Sequence, residues 1–129
     1  MTRVWETTVN SLRYRGRDGQ WAWMLHRTTG LGVVLFLMLH IVDIFLMAAG
    51  EEVFNTFLTI YTAAPFRVLE ALLIFAVIYH ALNGARIIVI DFWPTAGRYQ
   101  QWLWRVQLTI AVLGSIPGMI ITIRPIFGG

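Results

Sequence analysis

The chain has no cysteine and no lysine. Without a thiol it cannot form a disulfide, bind zinc through thiolates or ligate an iron–sulfur cluster. Any redox chemistry must therefore run through a group held by other side chains. Without lysine, all 10 basic residues are arginines, set against 7 acidic ones. Charge itself is scarce. Only 13% of residues are charged and 57% are apolar, with a mean hydropathy of +0.65. Soluble domains are usually about 45–50% apolar, so a soluble enzyme of this size is excluded and 129 residues leave room for one small membrane-embedded domain. A sequence pI near 10.0 raises nucleic acid as a partner. The arginines flank greasy segments instead of forming a patch with aromatics, which excludes that partner and fits orientation in a bilayer. No apolar core precedes residue 24, so no secretory signal peptide is expected. Internal repeats and low-complexity tracts are also lacking.

What is present is three long apolar runs. The first, GLGVVLFLMLHIVDIFLMAAG (Gly30 to Gly50), is interrupted only by His40 and Asp43. The second runs from about Phe66 to Phe92, opens after Pro65 and contains Glu70, His80, Asn83 and Arg86. The third has no ionisable residue in the 18 positions between Arg105 and Arg124. Each can cross a hydrocarbon core of about 30 Å at about 1.5 Å per residue. The expected fold is an all-α integral membrane protein. It has an N-terminal segment (1–24) and a membrane domain (25–129) with helices at about 25–50, 66–92 and 102–124.

The N-terminal segment (Arg3, Arg13, Arg15, Arg17) and the loop FWPTAGRYQQWLWR carry most of the arginines. The loop after the first helix begins Glu51-Glu52 and has only Arg67. The positive-inside rule then makes the N-terminus cytoplasmic and the C-terminus external. Trp21, Trp23, Trp93, Trp102 and Trp104 fall on the same inner side, as an aromatic belt would. Val53 to Ala64 is expected to lie along the outer interface as a short amphipathic helix, and Pro117 to kink the third helix.

The three histidines are expected at three depths. His26 falls at the cytoplasmic mouth, and His40, 14 residues on, lies about 21 Å deeper. His80 is 11 residues before Asp91 and so at most about 16 Å from the inner end of the second helix. An imidazole inside a membrane either hydrogen-bonds across a helix contact or ligates a haem iron. Around His80 the haem reading has support from Gly84, one turn along the same face, where a porphyrin can approach the backbone. Arg86 lies further toward the surface, placed either for the propionates or for snorkelling to headgroups. His40 has Asp43 at i+3, an acceptor that either orients an iron ligand or simply ties the bundle together. His26 with Arg27 suits propionate or quinone binding better than iron ligation.

The pattern His80-x3-Gly84-x-Arg86-x4-Asp91, following HRTTG (His26 to Gly30), resembles the cytochrome b membrane anchor of succinate dehydrogenase, or succinate:quinone oxidoreductase, respiratory complex II. The words WAWMLHRTTG, LHIVD and YHALNGARIIVIDFW are similar to certain bacterial anchors, over about residues 20 to 95. The resemblance implies that His80 is an axial ligand of a haem b whose opposite ligand comes from a second anchor subunit. It implies Arg27 and Asp91 in a quinone pocket on the cytoplasmic side, His26 near a propionate or that pocket, and His40 as ligand of a second haem in two-haem relatives. Many relatives have serine four residues before the arginine; here it is Trp23, so its indole N–H or Thr28 is expected to meet the quinone. Ile87 stands where a second histidine is frequent.

The resemblance further implies a subunit without a catalytic centre of its own, in a bacterial inner membrane. A flavoprotein subunit would oxidise succinate, an iron–sulfur subunit would pass electrons inward, and menaquinone or ubiquinone would receive them. Three rivals stand beside it: the reverse reaction as a quinol:fumarate oxidoreductase, a haem-free structural anchor, and the haem-bearing anchor of a hydrogenase or formate dehydrogenase.

Overall fold

The computed structural model describes residues 18–128, and no strand occurs among them. Arg3, Arg13, Arg15 and Arg17, on which the orientation largely rests, lie outside the described residues. Helix α1 spans Asp18–Ala48. It begins seven residues before the expected start at about residue 25, since Asp18 to Met24 contains no proline and its one glycine, Gly19, lies at the very start. Its 31 residues reach about 46 Å, so it tilts or projects beyond a core of about 30 Å.

Gly50 ends this helix at φ 125°, a backbone conformation in which a side chain would be strained. The chain turns there into α2, Glu51–Tyr61, whose first turn carries Glu51 and Glu52 against the positive end of the helix dipole. Helix α3, Ala64–Phe92, has Pro65 in its first turn, where a missing N–H costs nothing. It stops at Trp93, which Pro94 forces out of helical geometry. A 3₁₀ segment, Pro94–Tyr99, leads into α4, Gln100–Ile123, which runs through Pro117. A second 3₁₀ turn, Arg124–Phe127, follows. Helix α1, helix α3 and the stretch Pro94–Phe127 are each long and apolar enough to cross a membrane.

Helix α3 packs between α1 and α4, and α2 folds back against α1. Small groups make up much of the core, with Ala22 and Thr29 on α1, Ala71 on α3, and Ala111 and Ser115 on α4 buried beside the larger Tyr79, Asn83 and Gln107. Gly118 lets Ile74 come close; a Cβ there would sit 3.2 Å from Ile74 Cγ2. This is how helices associate in lipid, where water drives nothing together and close backbone approach supplies the contact energy. Large apolar side chains point outward instead, with Leu31 and Phe45 on α1 each 73% exposed. In water such a surface would be an aggregation liability.

Hydrogen bonds that tie α3 to α1 and α4 gather around Tyr79, His80 and Asn83. The buried Tyr79 hydroxyl donates to the Ala22 carbonyl at 3.3 Å and accepts from Trp104 Nε1 at 3.1 Å, tying α3 to both neighbours. Gln107 Nε2 donates to Asn83 Oδ1 at 2.9 Å. The histidines do not occupy three depths. The rings of His26 and His80 stack with centroids 4.1 Å apart and 8° between planes, so they share one level. The long first helix is the reason: with its start at Asp18, His26 lies two turns inside it.

Candidate functional site

His80 sits where α3 crosses α1. Its Nδ1 is 3.1 Å from the His26 carbonyl oxygen and 3.5 Å from Thr29 Oγ1. Thr29 spends its own proton on the Leu25 carbonyl at 2.6 Å, with the His26 carbonyl at 3.1 Å. Gly30 makes the approach of the two helices workable. A Cβ on it would lie 2.9 Å from His80 Cε1 and 3.3 Å from Nδ1.

These contacts decide the tautomer of the ring. A carbonyl can only accept, so Nδ1 carries the proton and donates, which leaves the lone pair of the neutral imidazole on Nε2. No hydrogen bond to Nε2 occurs among the described residues. Metal-binding imidazoles are usually oriented in this way, with the second ring nitrogen tied to a carbonyl. Gly84, one turn along, has open space where a Cβ would point, so a flat group can come against the backbone there. No three His, Cys, Asp or Glu side chains converge to hold a bare metal ion among the described residues. A single free imidazole nitrogen with open space at a glycine one turn along does fit a haem.

Beside the histidine pair opens a cleft of ≈ 270 Å³, lined by Trp23, His26, Asn83, Arg86, Asp91 and Gln100 among others. Three nitrogens around it are buried without a partner: Arg86 Nε, Arg86 Nη1 and His26 Nδ1. An uncompensated buried guanidinium is expensive. An anion or a carbonyl oxygen in the cleft would give these nitrogens a partner. Arg27 does not line it; its guanidinium lies 4.7 Å over the face of Trp23, a cation–π contact that steadies the indole forming the cleft wall. Thr28 is exposed and outside the wall, whereas Thr29, one residue on, is buried against His80.

His40 stands apart. Its ring stacks on Phe36 with centroids 5.5 Å apart, and the residue is exposed. Asp43 Oδ1 instead accepts from Tyr61 on α2 at 2.8 Å, a bond that also pushes the phenol above its ordinary range. Asp43 and Tyr61 wall a second cavity of ≈ 460 Å³, and His40 is not among the residues lining it.

The family model described as succinate dehydrogenase/fumarate reductase transmembrane subunit matches residues 6–116. The chain belongs to this family. It is 35% identical over 112 residues to the succinate dehydrogenase 2 membrane subunit SdhC of Mycobacterium tuberculosis (strain ATCC 25618 / H37Rv), covering 86% of this chain and 82% of that one. It is also 35% identical, over 74 residues, to the succinate dehydrogenase hydrophobic membrane anchor subunit of Halobacterium salinarum (strain ATCC 700922 / JCM 11081 / NRC-1), with 57% of each chain covered. In this transmembrane subunit the residues expected for two tasks, Trp23 and Asp91 for quinone and His26 and Arg86 for propionates, line one cleft. Sequence reasoning passed over Thr29, Gly30, Asn83 and Gln107. The signal for Thr29 was available: it lies seven residues from Ala22, two turns along the same face.

Proposed function

We propose that this transmembrane subunit is the haem b-binding anchor of a succinate:quinone oxidoreductase. It would relay electrons from an iron–sulfur subunit to quinone in a bacterial cytoplasmic membrane, with the N-terminus inside. His80 Nε2 would ligate the iron, Gly84 would admit the porphyrin and a second anchor subunit would supply a further ligand, while His26 and Arg86, expected at the propionates, line the cleft and are kept for the quinone. When bound, haem b supplies a one-electron store within the membrane. The observation that carries this reading is the His80 ring, fixed by the His26 carbonyl with its lone-pair nitrogen free.

The chain's own residues do the remaining work. Trp23, steadied by Arg27, forms the wall against which a quinone ring, menaquinone or ubiquinone, would lie. Arg86 and His26 offer donors to a carbonyl oxygen that gains charge as electrons arrive, and such donors count for more in a site of low dielectric. Asp91 is the acceptor placed to take part in proton delivery. The flavoprotein and iron–sulfur subunits would dock on the inner face. The same contacts serve quinol oxidation by fumarate. Family membership sets aside the anchor of a hydrogenase or formate dehydrogenase.

Arg27→Ala tests the quinone role. Succinate oxidation by membrane quinone should fall about tenfold, roughly the value of one cation–π contact plus the order it imposes. Reduction of an artificial soluble dye by the same complex should stay within a factor of two. Equal loss of both activities would point to misassembly and defeat the role. Since Tyr61 holds the carboxylate expected to orient His40, the expected content is one haem per complex. Two haems by pyridine haemochrome assay, falling to one in His40→Ala, would restore His40 as a ligand.

A further inference from the structure

We infer that Asn83 is a direct contact for the quinone headgroup and that Gln107 is its positioning residue. This rests on the reading that the cleft between α1 and α3 receives the headgroup. Asn83 lies three residues after His80 and three before Arg86, which puts all three on one side of α3. It is 1% exposed, yet it forms part of the cleft wall. Its Oδ1 is taken by Gln107 Nε2 from α4. The free edge of the amide is therefore its NH₂, for which no acceptor occurs among the described residues.

Gln107 is itself buried and keeps Oε1 without a partner. A buried polar atom left unpaired in a membrane needs a reason. Here the reason is that the glutamine is committed to holding Asn83 in one orientation. The groups lining the cleft that can donate are then Asn83 and Arg86, together with Trp23, Gln100 and His26 in the tautomer that carries its proton on Nδ1, with Asp91 as the carboxylate. A quinone, which carries carbonyl acceptors and no donors, is complementary to that set. The size agrees: ≈ 270 Å³ lies below the range of about 300–1,000 Å³ for pockets that enclose drug-sized ligands, and it suits one substituted ring.

The test uses the assembled complex in membranes, with a soluble short-chain quinone as acceptor and an artificial dye as the reference for assembly. Asn83→Leu and Asn83→Ala remove the donor with opposite changes in volume. Each should raise the quinone KM about tenfold, the usual value of one lost hydrogen bond, with a smaller change in kcat. Gln107→Leu should raise KM about threefold, on the order expected when a donor is kept but loses its fixed orientation. It should add nothing on an Asn83→Ala background, since a residue acting through another loses its effect when that other is gone. If both Asn83 variants keep the quinone KM within twofold while Trp23→Leu raises it, the Asn83 assignment falls and the quinone reading stands. If Trp23→Leu and Arg86→Leu also leave KM unchanged, the quinone reading of the cleft falls with it. A Gln107→Leu effect that adds in full to Asn83→Ala would overturn the positioning role.

Discussion

Gly30→Val is expected to loosen the bundle and displace His80, with a loss of about 1–3 kcal/mol, the usual range for forcing atoms into a packed contact. Valine places two methyl groups beyond a Cβ that would already lie 2.9 Å from His80 Cε1. The ring cannot move aside freely, because it is stacked on His26 and hydrogen-bonded to the His26 carbonyl. Either α1 and α3 separate or the imidazole leaves its carbonyl. The first outcome lowers the melting midpoint of the solubilised complex, and the second frees the tautomer and with it the direction of the lone pair.

Gly84→Ala is the control that separates packing from ligand access. Among the described residues nothing lies within 4 Å of a Cβ at that position. Alanine also favours helix over glycine by about 0.5–1 kcal/mol. The chain should therefore tolerate Gly84→Ala in its own fold, whereas any effect on a group seated against the helix appears in haem content alone. A Gly30→Val complex that melts with the wild type and keeps full haem would contradict the close packing of α1 on His80.

Much of the architecture was legible as apolar run length. Three stretches of bilayer length, separated by arginines or paired glutamates, leave little choice of fold once lipid forbids unpaired backbone. The start of α1 was less legible, since Asp18, Gly19 and Gln20 carry no hydrophobic signal and Trp21 and Trp23 read as an interfacial belt, although no proline stops a helix there. The consequence reaches the site: a helix opening near residue 25 puts His26 at the mouth, while one opening at Asp18 brings it level with His80. The candidate site was legible as to residue types, and His80, Gly84 and Arg86 could be read from spacing along one helix. Contacts between helices could not. That Gly30 faces His80 and Gln107 faces Asn83 depends on the rotation of each helix about its axis, which small residues at the crossings decide. His40 shows the converse. Its i+3 relation to Asp43 is sound within α1, yet Tyr61 from α2 takes the carboxylate.

The proposed haem site depends on one lone pair, that of His80 Nε2. Replacing the ring with alanine removes it, and the nearest imidazole among the described residues, His26, lies flat against the His80 ring instead of in line with its Nε2. His80→Ala should thus abolish haem binding outright at this site while the complex still assembles. The decisive measurement is the dithionite-reduced minus oxidised optical spectrum of membranes holding equal amounts of the complex, wild type against His80→Ala. A sharp low-spin b-type band is expected in the wild type and none in the variant. A band that persists in His80→Ala, or a wild-type complex with no such band, would contradict iron ligation by this histidine.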